Sequence, residues 1–261
     1  MDIIKSKDNK TIKYIGKLLS SSKFRRDEQR FVVEGVRLCE EVLKNNADVD
    51  YLVFSQSALN KYADIIDNLS SVSSHKLCVD DRIFSGLSDT KTPQGVMCVV
   101  KTLDKKSHFD TIKQNGIVLA LDCIQDPSNL GTILRSADAL GVSAVVLSHD
   151  CCDVYSPKVV RGSMGAVFRI PFYITNDLPA IIGDFNKYGT SFACVLDETA
   201  VQVNDVKFSK PVLSVIGNEG NGISKAVIDS CTHKLYIPMK NNAESLNAAV
   251  AASIIMWEMV K

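Results

Sequence analysis

Long apolar runs are missing from this chain of 261 residues. None reaches the length that a membrane-spanning helix needs, and Met1-Asp2-Ile3-Ile4-Lys5 lacks the apolar core of a signal peptide. The sequence therefore predicts a cytoplasmic protein with no membrane partner. Net charge is missing as well. Thirty basic side chains cancel thirty acidic ones, so bulk composition does not announce a nucleic-acid binder. Eight cysteines (Cys39, Cys78, Cys98, Cys123, Cys151, Cys152, Cys194 and Cys231) contain no Cys-x-x-Cys spacing. Most lie in apolar stretches, which argues for reduced, buried thiols and against a zinc site or a disulfide framework. His75, His108, His149 and His233 are scattered. No metal is expected. No Ser-His-Asp set or carboxylate pair calls for acid–base work.

Hydrophobic residues make up 46% of the chain, enough for a packed interior. Apolar strand candidates alternate with helical segments. Phe31–Val33, Tyr51–Phe54 and Gly95–Val100 read as strands, and Val36–Leu43 reads as a helix. Polar residues 101–116 form the best linker. A second series follows: strand Ile117–Leu121, helix Leu130–Leu140, strand Ala144–Leu147 and a helix through Val159. Strands Phe192–Leu196, Val212–Ile216 and Lys234–Ile237 come next, and a helix from Ser245 closes the chain. Apolar strands between helices predict an α/β protein with a parallel sheet covered on both faces.

Charge is uneven along the chain. Residues 1–30 carry nine basic and four acidic side chains. Lys10, Lys13 and Lys17 recur at helical spacing opposite Ile12, Ile15 and Leu19. Arg25 and Arg26 follow. A solvated helix face explains such a stripe, and so does an arm that contacts RNA phosphates.

Three segments carry polar residues at loop ends. Gly217-Asn218-Glu219-Gly220-Asn221-Gly222 follows a strand. Ile223 stands where a phosphate-binding loop needs lysine, Glu219 would repel phosphate, and the dinucleotide glycine fingerprint is absent. Asn129 and Arg135 lie six apart near the start of a helix. Taken singly they read as an N-cap and a surface ion pair. Ser245 and Asn247 read as caps at the last helix. Leu246, Val250, Ile254 and Trp257 share one face of that helix, as core or as subunit contact.

Taken together, these segments resemble a known family. Leu121-Asp122-Cys123-Ile124-Gln125-Asp126-Pro127-Ser128-Asn129-Leu130-Gly131-Thr132-Ile133-Leu134-Arg135, Val215–Ser224 and Ile237–Ala252 resemble, in order, the three motifs of the SpoU (TrmH-type) RNA 2′-O-ribose methyltransferases of the SPOUT superfamily. Ser156–Ala166 is also similar to the family. Phe31-Val32-Val33-Glu34-Gly35 and Thr92-Pro93-Gln94-Gly95 resemble the ribosomal-protein-like RNA-binding domain found ahead of the catalytic domain in many members.

The resemblance implies a smaller N-terminal α/β RNA-binding domain over residues 1–105. A parallel-sheet methyltransferase domain with a C-terminal trefoil knot would span residues 115–261. It implies S-adenosyl-L-methionine as cofactor, and a homodimer formed through the C-terminal domain. By position, Asn129, Arg135, Glu219, Ser245 and Asn247 match the polar catalytic residues. Ile216, Gly217, Ile237, Met239, Ser245, Leu246 and Asn247 would hold the cofactor, and Lys10, Lys13, Lys17, Arg25 and Arg26 would contact RNA. Ser128, Asn241-Asn242 and Ala248-Ala249 depart from the usual pattern without removing a polar candidate. The expected activity is 2′-O-methylation of ribosomal RNA. The alternatives are transfer RNA as substrate, a base ring nitrogen as target, and an inactive RNA-binding module of the same fold.

Overall fold

A computed structural model describes residues 3–103, 110, 112–240 and 245–261. Two compact units emerge. One joins Met1–Leu103 with Tyr155–Phe168, and the other joins Asp104–Val154 with Arg169–Lys261.

The first unit is a mixed five-stranded sheet with helices on both faces. Its strands are β1 (Ile3–Ile4), β2 (Arg30–Glu34), β3 (Val49–Ser55), β4 (Ser73–Val79) and β5 (Val96–Lys101), in the order β1-β4-β3-β5-β2. β5 runs antiparallel to both β2 and β3. The basic stripe lies on α1 (Lys10–Ser20). Asn9 starts that helix by accepting the N–H groups of Thr11 and Ile12. Ile12, Ile15 and Leu18 are buried against Val32, Val53 and Met97, which leaves Lys10, Lys13 and Lys17 exposed. Ser21 then caps α2 (Ser22–Glu28) by accepting the N–H of Phe24.

The second unit is built on seven parallel strands. They are β6 (Ile117–Leu121), β7 (Ala144–Ser148), β8 (Phe172–Thr175), β9 (Thr190–Cys194), β10 (Val201–Gln202), β11 (Val212–Ile216) and β12 (His233–Tyr236), ordered β10-β12-β9-β11-β6-β7-β8. β6, β7 and β11 are buried at every residue, as expected for strands covered on both faces. On one face Val118, Ala120 and Val146 meet Leu178, Ile182 and Phe185 of the helix Leu178–Phe185. On the other, the last helix, Ala248–Val260, packs against the helix Pro127–Ala139 and against β6 and β11. β6 leads to β7 on one side and pairs with β11 on the other. The strand order therefore reverses at β6–β11, and open α/β sheets place ligands beyond the strand C-termini at such a point.

The structure shifts several expected boundaries. Residues 104–109 and 111 of the expected linker lie outside the described residues. The final helix begins at Ala248 rather than Ser245, because Asn247 caps it by accepting the N–H groups of Ala249 and Val250. Asn129 is no cap. Asp126 holds that place, accepting from Ser128 N–H, with Pro127 in the first turn. Tyr155–Phe168 lies inside the range expected for the second domain and packs with the first compact unit. The ring of Tyr155 lies 4.6 Å from that of Phe31, its hydroxyl donates to the Leu103 carbonyl, and Phe168 also meets Phe31. Apolar spacing shows that this segment is buried but not which sheet it covers.

Candidate functional site

The polar loops gather at the C-terminal ends of β6 and β11. β6 runs into Asp122, a buried carboxylate that accepts the N–H of Ser224 (2.8 Å). β11 runs into a tight hairpin in which Asn218 and Gly222 exchange backbone hydrogen bonds of 2.9 and 3.0 Å. The Asn218 side chain holds this hairpin from inside. Its Oδ1 accepts the N–H groups of Gly220 and Asn221, and its Nδ2 donates to the Cys123 carbonyl (2.8 Å). Only glycine fits at the mouth of the hairpin. A Cβ on Gly217 would lie 2.3–2.5 Å from backbone atoms of Gly222 and Ile223.

This hairpin delivers Glu219 to the start of the helix Pro127–Ala139. The carboxylate accepts the N–H groups of Gln125 and Asp126 (3.1 Å each) and Nδ2 of Asn129 (2.9 Å). Partial burial works against the charged form, but the hydrogen bonds from Asn129, Gln125 and Asp126 outweigh it and hold the carboxyl below its usual value. Asn129 is buried, and its Oδ1 accepts from Nδ2 of Asn247 (2.9 Å). The opposite end of Asn247 caps the last helix. One polar chain, Glu219–Asn129–Asn247, thus joins three segments that lie up to 118 residues apart in sequence. The amide orientations are those this network requires.

Beside this chain lies a cavity of about 270 Å³. Ile216, Gly217, Ile237, Met239, Ser245 and Leu246 all line it, as does Glu219. Asn247 does not line it; it borders the neighbouring groove between the two helices. The walls are mostly apolar side chains and backbone, and Gly217, Gly220 and Gly222 bring the hairpin backbone to the cavity. That arrangement suits a flat, partly apolar ligand held by main-chain groups. Residues 241–244 lie outside the described residues.

Arg135 stands apart. It is exposed, it lies six residues beyond Asn129 and so well round the helix, and it bonds to no described residue. It shares a stripe with Ser128 and Thr132, which line the groove against the last helix. Among the expected RNA contacts, Lys10, Lys13, Lys17 and Arg26 are exposed. Arg25 is a correction. It is 5% exposed, and its guanidinium donates to the carbonyls of Leu18 and Leu19, closing the corner between α1 and α2. No spacing rule distinguishes such an arginine from its surface neighbours.

Sequence reasoning missed two residues that build the site, Asp122 and Asn218. Each is the polar residue that follows a buried strand, or comes one residue later, and that position was the available signal. All eight cysteines are free. Burial pushes the Cys152 thiol up to about 12 and raises Cys194 and Cys151, so these thiols stay protonated at neutral pH. Among the described residues no group of three His, Cys, Asp or Glu side chains can hold a metal ion, and no helix is long and apolar enough to cross a membrane.

A parallel α/β sheet with an apolar cradle and a polar lattice at its switch point defines a ligand-binding protein of the doubly covered α/β class. Comparison with known proteins narrows this. The SpoU rRNA methylase family matches residues 116–257, and the MRM3-like substrate-binding domain matches residues 9–98. The 23S rRNA (guanosine(2553)-2′-O)-methyltransferase RlmP of Bacillus subtilis is 31% identical over 99% of both chains. Two solved structures superpose over nearly the full length. The S-adenosylmethionine-bound rRNA methyltransferase of Sinorhizobium meliloti has TM-score 0.86 and 27% identity, covering 99% of this chain and 97% of that one. The SpoU methyltransferase AviRb of Streptomyces viridochromogenes, with the same cofactor, has TM-score 0.85 and 28% identity, covering 97% of each chain. The chain belongs to the SpoU family of RNA methylases.

Proposed function

We propose that this protein transfers a methyl group from S-adenosyl-L-methionine to a ribose 2′-hydroxyl of ribosomal RNA. The observation that carries the reading is the Glu219–Asn129–Asn247 chain, which binds the three family segments into one rigid rim beside the cavity. A decayed, RNA-binding relic would have no reason to keep all three partners. The choice of ribosomal over transfer RNA rests on the relatives, since RlmP and a 31% identical protein of Streptomyces viridochromogenes are both named as 23S rRNA 2′-O-methyltransferases. Such a substrate goes with a cytoplasmic site of action.

The residues present fit the cofactor. Ile216, Ile237, Met239 and Leu246 offer apolar contact to an adenine ring, and the backbone near Gly217 and Ser245 offers hydrogen bonds to its polar edges. Bound S-adenosylmethionine supplies an electrophilic methyl on a positively charged sulfur. The protein must then align a hydroxyl with that methyl and ease the loss of its proton. Arg135 is the cation assigned to the developing alkoxide and to the adjacent RNA phosphate, with phosphate or water taking the proton. A guanidinium holds its own proton too tightly to serve readily as base. Glu219, Asn129 and Asn247 act as positioning residues that fix the loops, and Ser245 borders the cavity where a sugar hydroxyl would enter.

We further infer a homodimer through the groove between the helices Pro127–Ala139 and Ala248–Val260. Val250 and Trp257 lie there 48% and 53% exposed, in a chain that buries most of its large apolar side chains. The Arg135 stripe borders the same groove, so pairing of two chains there would shield that guanidinium. A C-terminal knot is part of the reading. The chain leaves β12 beside the far edge of the sheet and returns to pack its last helix on β6 and β11, a course compatible with threading. The test is direct. Purified protein is given tritiated S-adenosylmethionine and ribosomal RNA, and alkali-resistant dinucleotides are sought. Label at a ribose 2′-oxygen supports the reading; label on a base, or none on any ribosomal RNA, overturns it.

A further inference from the structure

The first unit carries an aromatic rim next to its lysine stripe. Tyr51 of β3 and His75 of β4 are paired in register. Their rings are 4.9 Å apart and tilted by 30° to one another. Tyr14 of α1 continues the run, 6.1 Å from Tyr51, and Phe24 of α2 follows, 5.6 Å from Tyr14. Tyr14, Phe24 and Tyr51 back onto the core beneath α1, so one side of each ring is buried. Each nevertheless remains half-buried, and His75 is exposed.

The rim also has open access. β1 pairs with β4 only at Cys78 and Val79, so among the described residues no strand covers the outer edge of β4 at His75. The charges beside it are basic. Tyr14 sits between Lys10 and Lys17 on the helix surface, four and three residues away, and Lys17 Nζ lies 5.6 Å from the centre of the Phe24 ring. Nearby carboxylates are already engaged. Glu28 accepts the Tyr14 hydroxyl, Asp50 is paired with Arg30, and Asp8 is paired with Lys13.

Half-exposed rings beside a row of cations are what unpaired nucleotides require. The bases stack on the rings while the phosphates follow the cations, and neither contact depends on base identity. A double helix hides its base faces and would meet the cations alone. We propose that His75, Tyr51 and Tyr14, flanked by Lys10, Lys13 and Lys17, form a shelf that grips unpaired nucleotides of the RNA substrate. The proposal rests on the RNA-methyltransferase reading above and adds where, and in which conformation, the RNA is held. The shelf is generic for single strands; sequence choice lies elsewhere.

The test uses the full chain, a fluorescein-labelled 12-nucleotide oligo(A) and a duplex RNA of the same length. Tyr51→Leu with His75→Ala keeps apolar bulk under the shelf and removes both outer rings. It should weaken oligo(A) binding about tenfold or more while leaving duplex binding unchanged. His75→Ala alone, at an exposed position, gives a smaller loss of the same kind and serves if the double variant melts early. Neutralising Lys10, Lys13 and Lys17 to Gln should lower the slope of log K against log salt by about 2 for the single strand. Oligo(A) affinity within twofold of wild type in both aromatic variants overturns the shelf, as does an equal loss for the duplex. Methyl transfer to ribosomal RNA is measured in the same preparations. Transfer by a wild type whose RNA binding ignores Tyr51 and His75 defeats the shelf alone. A wild type that neither transfers methyl nor binds RNA defeats both readings.

Discussion

At the scale of single residues, the proposed function gives Arg135 and Glu219 different parts. Arg135 is exposed and bonded to no described neighbour, so removing it should leave the fold and cofactor affinity intact. Arg135→Ala is expected to lower the single-turnover rate of methyl transfer by about 10²–10³, the cost of losing one preorganised stabiliser of a developing oxyanion. Arg135→Lys should recover part of it, because the charge returns without the planar fork. Rates within a few-fold of wild type would remove Arg135 from the mechanism. Glu219 behaves differently. Its folded pKa is depressed, so its contribution to stability is present above the unfolded value of about 4.3 and lost as pH falls through the lower folded value. Wild type should therefore lose more thermal stability than Glu219→Gln between neutral pH and about pH 3. Parallel losses in the two proteins, followed by calorimetry, would show that the carboxylate is not held as described.

At the scale of elements, the hairpin after β11 tolerates little change. A methyl group on Gly217 would meet backbone, not a yielding side chain. Gly217→Ala should force the hairpin open, cost about 2 kcal/mol of overpacking strain and weaken S-adenosylmethionine binding at least tenfold by titration calorimetry. Undiminished affinity would mean that the hairpin does not shape the cavity. The same element shows what was legible beforehand. The glycine-rich segment, the strand before it and its acidic residue were all visible in the residue order. The partners of Glu219 were not, because Gln125, Asp126 and Asn129 lie 90 to 94 residues away and only the pairing of β6 with β11 sets them opposite. Likewise the last helix was legible by composition, but its first residue was not. Asn247 is both cap and lattice member, and only the lattice explains why the helix waits for Ala248.

At the scale of the whole molecule, the exposed face of the last helix is the feature that a single chain leaves unexplained. Trp257→Glu places a charge on a half-exposed aromatic, so it should be tolerated by the isolated chain but not by a paired surface. If two chains pair there as proposed, sedimentation should report a dimer for wild type and a monomer for the variant, with methyl transfer reduced alongside. A variant that still sediments as a dimer would place the contact elsewhere. Unit boundaries are also a whole-molecule property. Tyr155–Phe168 sits in the chain between β7 and β8 of the second sheet, yet its rings complete the core of the first unit around Phe31.

The sequence by itself determined the strand–helix alternation, the buried character of β6, β7 and β11, the basic stripe on α1 and the family. These follow from residue spacing and from short ordered motifs, which are local properties of the chain. Tertiary structure alone decided that Glu219, Asn129 and Asn247 form one lattice, that Arg25 turns inward while Arg26 stays out, and that Tyr14, Tyr51 and His75 share a rim. Each of those depends on which strands lie side by side. Pairing energy is gained between residues distant in sequence, so no local pattern records it.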